Sequence, residues 1–397
     1  MTTPDAADLA RRRRWRRLVP VAAALLALGV CEVGLRRSDV DFAFYVVDAH
    51  RGWALRPGAF GFVIGERVMW LNINSDGLRD REHDRVKPPG TVRIAVLGDS
   101  YMEAANVPMK QMFTSQLEAR LAGCRPAAEV INFGVTAYGI TQEWLTYRLH
   151  ATKYQPAIVV LAIYTANDMF DTLAFPGTPA DTGLPYPVAP IEQRKPEPEI
   201  EATLLPWYQH LRLAITDRVE TMKLLYGGWG ALRAAWHPPP PRYDDPEDVL
   251  RDRAIYQPPA SATMREAWRA TEERVLALAS EVAANGSEFW IVTLSNAEQV
   301  DPDLSARRVV ATQLGVPDLL YPDRRIRDLA TQHGIPVITL VEPLADYTAT
   351  TGAYLNGGYN SAFPAGTGHW NDTAHRLAAG IVGDRLCASS PALARLR

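Results

Sequence analysis

At 397 residues with 47% hydrophobic and 22% charged residues, the chain is long enough to bury one large core or two modest ones, and global disorder is excluded. A net charge of -3, with no basic excess outside the N-terminus, offers no footprint for nucleic acid.

The first segment, 1–37, reads "RRRRWRRLVPVAAALLALGVCEVGLRR" from Arg11 onward: six arginines within 11–17, then an apolar run from Leu18 to Cys31. Crossing hydrocarbon takes about 20 residues, so the run is short for a span unless Glu32 and Arg36 lie at the far interface. The arginines would keep the N-terminus cytoplasmic. A cleaved signal peptide is the rival reading, but no convincing small-x-small cleavage site precedes Glu32, and Val30 stands where a lipoprotein site wants a small residue. An uncleaved membrane anchor is the expectation. Residues 38–91 are rich in aromatic and turn residues without a long helical period, and predict an extended lead-in with short strands lying on the main domain.

Apolar runs and helical patterns then alternate. Strands are expected at 93–98, 129–135 and 157–164, with helices at 111–123 and 141–154. From Phe175 to about Ser261 the pattern breaks into a Pro-rich insertion, 176–261, holding "FPGTPADTGLPYPVAP" and "HPPPPRYDDPEDV" around a helical stretch near 206–236. It is either a disordered excursion or a functional lid. The alternation resumes with a helix at 262–285, a strand at 288–295, a helix near 323–333, a strand at 335–341 and a closing helix from Asp372 to about Cys387. This order predicts an α/β main domain, 92–390, with a mostly parallel sheet and helices on both faces. The first and last helices of such a sheet commonly cover one face, so a Cys124–Cys387 bridge and two unrelated buried thiols are both open.

Chemistry gathers at strand ends. "VRIAVLGDSYMEAANV" sets Ser100 at the carboxyl end of a strand, where ligands of α/β proteins bind. A Gly-Asp-Ser turn alone is weak, because such turns fill ordinary loops. Its company strengthens it: Gly134 follows the next strand in "INFGVTAYG", Asn167 follows the third in "YTANDMFD", and His369 opens "HWNDTAHRLAAG" before the last helix. A nucleophilic serine needs a base, and an acyl-transfer intermediate needs donors aimed at its oxyanion, which Ser100 N–H, Gly134 N–H and the Asn167 amide could supply.

On the blocks "GDSY", "FGV", "AND" and "GHWN", taken in that order over about 280 residues, the sequence resembles the SGNH hydrolases, the GDSL-type esterases and lipases. The lead-in "LNINSDGLRDRE" resembles that of bacterial members carrying an N-terminal membrane anchor. The resemblance implies a flavodoxin-like three-layer α/β/α sandwich, with Ser100 as nucleophile, His369 as base, and Ser100, Gly134 and Asn167 forming the oxyanion hole. One departure stands out. The family places an Asp two or three residues before the histidine to orient the imidazole; here those places hold Thr367 and Gly366. A Ser–His dyad, with a backbone carbonyl or an acid from elsewhere, is one expectation; a weak or inactive protein is the other.

Supporting roles are expected for Asp99, bracing the turn, and Asp168, tying down its loop, while His375 reads as a packing or capping residue. No Cys/His cluster has zinc spacing, and neither a Walker loop nor G-x-G-x-x-G occurs, so the reading needs no metal or nucleotide cofactor. The expected function is serine-dependent hydrolysis of an O-acyl ester, with acetylated envelope or extracellular carbohydrate favoured over a lipid ester because 176–261 mixes its apolar residues with charges and prolines. The domain would face the periplasm or cell exterior. An O-acyltransferase acting on a glycan acceptor and a non-catalytic glycan-binding protein are the alternatives.

Overall fold

The structure, a computed structural model, describes residues 6–37, 44–125, 127–175, 221, 253–360 and 363–394. The chain divides into two compact units, Met1–Phe42 with Pro196–Trp236 and Ala43–Lys195 with His237–Arg397.

In the first unit, α1 (Ala6–Arg37) runs for 32 residues with Pro20 inside it. Its apolar window, Trp15–Gly34, is 20 residues long, so the helix is long and apolar enough to cross a membrane, a profile shared by signal sequences. Glu32, which a span over the apolar run alone would need at the far interface, lies inside that window. Its Oε2 accepts hydrogen bonds from the Thr221 N–H and hydroxyl, each at 2.9 Å.

The second unit begins with two antiparallel hairpins, β1 (Tyr45–Asp48) with β2 (Gly52–Leu55), and β3 (Phe60–Ile64) with β4 (Val68–Asn72). These are the short strands expected of the lead-in. A five-stranded parallel sheet follows, made of β5 (Val92–Leu97), β6 (Ala128–Asn132), β7 (Ile158–Tyr164), β8 (Glu288–Leu294) and β9 (Val337–Thr339), in the order β6-β5-β7-β8-β9. Counted within the sheet this is 2-1-3-4-5, the doubly wound order whose switch point lies between β5 and β7.

The strands read as continuous apolar runs because both faces are covered. Every residue of β5 is buried. Ile94, Val96, Ile158 and Val160 pack on one face with Phe113, Leu117 and Leu121 of α3 (Phe113–Leu121) and with Ala378, Val382 and Leu386 of α10 (Asp372–Ser389). Ala95, Leu97, Val159 and Leu161 pack on the other with Trp144 of α4 (Ile140–Leu149) and Trp268, Val275 and Leu278 of α6 (Ala262–Ala284). Cys124, just past α3, and Cys387 of α10 form a disulfide with Cα atoms 6.0 Å apart, so of the two readings the bridge is the one observed.

The sequence reading missed α7 (Leu304–Leu314) and α9 (Val341–Thr351). The strand expected at 335–341 ran one residue into the second, because "IPVITLV" leads straight into the helix and no side chain caps its start, and no element was expected over the rest of it. The remaining helices are the single turn α2 (Ser100–Glu103), α5 (Asp168–Ala174), α8 (Tyr321–Gln332) and α11 (Pro391–Ala394). The helical stretch near 206–236 and most of the insertion lie outside the described residues.

Candidate active site

Ser100 is the first residue of α2, directly after β5, and Asp99 caps that turn by accepting the Tyr101 N–H at 2.9 Å. Ala104 closes the turn in the left-handed region, φ 54°. Arg79, buried in the lead-in, clamps the turn from below, donating to the carbonyls of Glu103 (2.5 Å), Ala104 and Val107 (2.6 Å). Glu103 ties it to the lead-in and to the next loop, for its carboxylate accepts the Tyr45 hydroxyl at 2.7 Å and the Thr136 N–H at 2.6 Å. The Ser100 turn is therefore held largely by "LNINSDGLRDRE" and the first hairpin, outside the parallel sheet.

The structure brings Ser100 and His369 together: the Ser100 Oγ lies 2.7 Å from the His369 Nε2. No acid occupies the places before His369, where the Thr367 hydroxyl instead donates to the Pro364 carbonyl at 2.8 Å. The acid comes from Glu66, in the turn between β3 and β4. Its Oε1 is 2.6 Å from the His369 Nδ1 and also accepts the His369 backbone N–H at 2.9 Å. Two bonds from one carboxylate fix both the ring and the backbone of the loop. Gly368 explains how Glu66 gets so close: its φ is +71°, and a Cβ there would stand 2.5 Å from the Glu66 Oε1. Asn106 holds the same loop, donating to the Trp370 carbonyl at 2.9 Å and to the Glu66 Oε2 at 3.4 Å.

The electrostatics follow. Burial pushes the His369 imidazole toward the neutral form, but the Glu66 hydrogen bond and charge, with Asp99 and Glu103 beyond, outweigh it and leave its pKa raised above 6.5. Asp99 is pushed up to about 6 by burial, against the Tyr101 N–H and the His369 charge.

The three expected oxyanion donors sit at the ends of the adjacent strands β6, β5 and β7. Among the described residues the Ser100 N–H, at the open start of α2, meets no acceptor. The Asn167 Nδ2 donates to the Asp171 Oδ2 at 2.8 Å, which leaves its second amide hydrogen to point elsewhere. The Gly134 N–H is bonded to the Asn132 Oδ1 at 3.0 Å, so an oxyanion would have to share it. Gly134 is glycine because of the protein itself, since a Cβ would lie 2.5 Å from the Glu103 nitrogen and the Met102 Cβ.

Asp168 accepts the Tyr164 N–H at 2.7 Å, which ties its loop as expected, and burial raises its pKa well above the ordinary value. His375 is buried, its Nδ1 accepting the N–H of Phe113 at the start of α3 at 3.2 Å; desolvation holds it down to about 3. It caps a helix and stays neutral. Among the described residues no group of three or more His, Cys, Asp or Glu is placed to hold a metal.

Sequence reasoning missed Glu66, Arg79 and Asn106. For Glu66 the available signal was "GER" between two alternating apolar runs, which marks a hairpin turn; nothing in the sequence pairs that turn with a histidine 303 residues away.

No family model matches the chain, and no curated protein matches it. Solved structures with a similar chain path include a catalytic mutant of an acetylxylan esterase from Geobacillus stearothermophilus, at 10% identity over 76% of this chain and 96% of that one, TM-score 0.40. The acetyl xylan esterase AlAXEase is similar at 12% identity over 74% and 100%, TM-score 0.38. A putative lipolytic protein of the G-D-S-L family from Desulfitobacterium hafniense is similar at 8% over 74% and 99%, TM-score 0.33.

Proposed function

We propose that this chain is a serine ester hydrolase of the SGNH type, and the observation that carries the reading is the unbroken path Ser100–His369–Glu66. The His369 Nε2 takes the proton from the Ser100 Oγ as that oxygen attacks the ester carbonyl. The imidazolium so formed is stabilised through its Nδ1–H by the Glu66 carboxylate. The tetrahedral oxyanion is held by the Ser100 N–H and the free hydrogen of the Asn167 amide, with the Gly134 N–H shared from Asn132. His369 returns the proton to the departing alcohol, and water, deprotonated by the same nitrogen, releases the acyl group from Ser100.

The ester is proposed to be an O-acetyl group on an envelope or extracellular carbohydrate. The arginine-flanked helix α1 would hold the protein at a membrane with its N-terminus in the cytoplasm, and the Cys124–Cys387 bridge suits an oxidising compartment on the other side. The missing acid, the feature that favoured a non-catalytic binder, is supplied by Glu66, so catalysis is the better reading.

The test is hydrolysis of a short activated acyl ester by the full-length chain, its Ser100→Ala variant and its His369→Ala variant at equal folding. Both substitutions are expected to lower turnover by at least about 10³-fold. Equal turnover in either variant overturns the reading. Adding a glycan acceptor to the same assay separates hydrolase from transferase, because only a transferase diverts the acyl group from water.

A further inference from the structure

The hairpin that delivers Glu66 carries an apolar strip on its outer side. Phe60 and Trp70 are exposed by 40% and 60%, yet their rings stack on each other, with centroids 5.4 Å apart and planes 23° apart. Val68, two residues before Trp70 and so on the same side of β4, is 65% exposed. Exposed Asn72 is the register partner of Phe60, which sets an amide beside the rings. Large apolar side chains gathered like this on a soluble face mark a place of contact.

We propose that this face is the platform on which a polysaccharide lies while one of its acyl groups is held at Ser100. The inference rests on the ester-hydrolase reading and names its substrate as a polymer. Position favours that occupant. Trp70 is four residues along the chain from Glu66 and Phe60 six, so at the strand rise they lie within about 13 Å and about 20 Å of it. The strip thus runs back along the hairpin from the turn whose Glu66 is bonded to His369. A linear chain bearing the scissile ester gains from both contacts at once, whereas a bilayer gains nothing from alignment with His369. A pyranose also offers what the strip can bind, an apolar C–H face for the rings and a hydroxyl rim for the Asn72 amide.

The experiment uses the full-length chain in mild detergent, as wild type, Trp70→Ala and Trp70→Phe. Its probes are 4-nitrophenyl acetate and partially O-acetylated xylo-oligosaccharides, disaccharide through hexasaccharide. Expected is a kcat/KM that rises with oligosaccharide length in the wild type and falls about tenfold on the hexasaccharide in Trp70→Ala through KM. Trp70→Phe should restore most of it, and 4-nitrophenyl acetate turnover should stay within about twofold throughout, because Trp70 touches no reacting group. Calorimetric titration of the Ser100→Ala chain with the deacetylated hexasaccharide, with and without Trp70→Ala, reads the platform without turnover. Loss of all ester turnover alone would sink the hydrolase reading and leave the platform to this titration. Hexasaccharide binding unchanged by Trp70→Ala, or no binding, overturns the platform. So does a Trp70→Ala effect on vesicle partition alone, which would make the strip a lipid contact.

Discussion

A histidine that must take a proton from serine and then give it up needs its charged form stabilised, but not locked. Glu66 sets that balance in a site whose burial would otherwise keep the imidazole neutral. In the proposed mechanism His369 acts as a base in its neutral form, so activity is expected to rise with pH through a midpoint above 6.5, the direction in which His369 is shifted. In Glu66→Gln the carboxylate is gone while burial remains. The midpoint should then move down, and the pH-independent kcat should fall by about 10² to 10⁴, as for a triad that loses its acid. A pH–rate profile of the variant checks both; an unmoved acidic limb would show that Glu66 does not act on the imidazole. Ser100, Asn167 and His369 were legible because each sits at a strand end or helix start that periodicity alone locates. Glu66 was not, since a glutamate in a turn looks the same whether it faces solvent or a histidine.

Among the elements, the parallel strands were the most legible, because burial on both faces writes an unbroken apolar run. Helix α9 was not, for it starts without a polar cap. The lead-in was expected only as short strands lying on the main domain, yet its turn supplies Glu66, its Arg79 clamps the Ser100 turn and its Tyr45 bonds to Glu103. Such roles depend on contacts across the fold and leave no local pattern. The helices α3 and α10 carry a different device, the Cys124–Cys387 bond, which joins residues 263 apart in sequence. A cross-link over so long a loop restricts the unfolded chain strongly. Cys387→Ser is expected to lower unfolding stability by about 2–5 kcal/mol, read from denaturant melts of the two proteins side by side. A variant as stable as the wild type would mean that helix packing alone holds this face.

At the scale of the whole molecule, charge buried under the site shapes stability against pH. The Glu143 side chain is buried with neither carboxylate oxygen hydrogen-bonded among the described residues, and desolvation, with Asp99 and Asp171 nearby, raises its pKa well above 4.5. A carboxyl raised on folding holds its proton more tightly in the native state. Its contribution is therefore present at acid pH and is lost as pH climbs from the ordinary carboxylate value toward the raised one. Glu143→Gln removes that loss. Its melting temperature should exceed the wild type's at about pH 8, by on the order of 1 kcal/mol or more in stability, and converge with it near pH 4. Thermal melts across that range decide it, and parallel curves for the two proteins would contradict the assignment.

The Cys124–Cys387 bond also decides what a cut in the backbone can do. Ser100 lies before its first cysteine, and His369 lies between the two, just before α10. A single cut between Cys124 and His369 would divide Ser100 from His369 in sequence, yet the disulfide keeps both pieces in one molecule. The proposed proton path can therefore outlast a nick that a gel shows only after reduction.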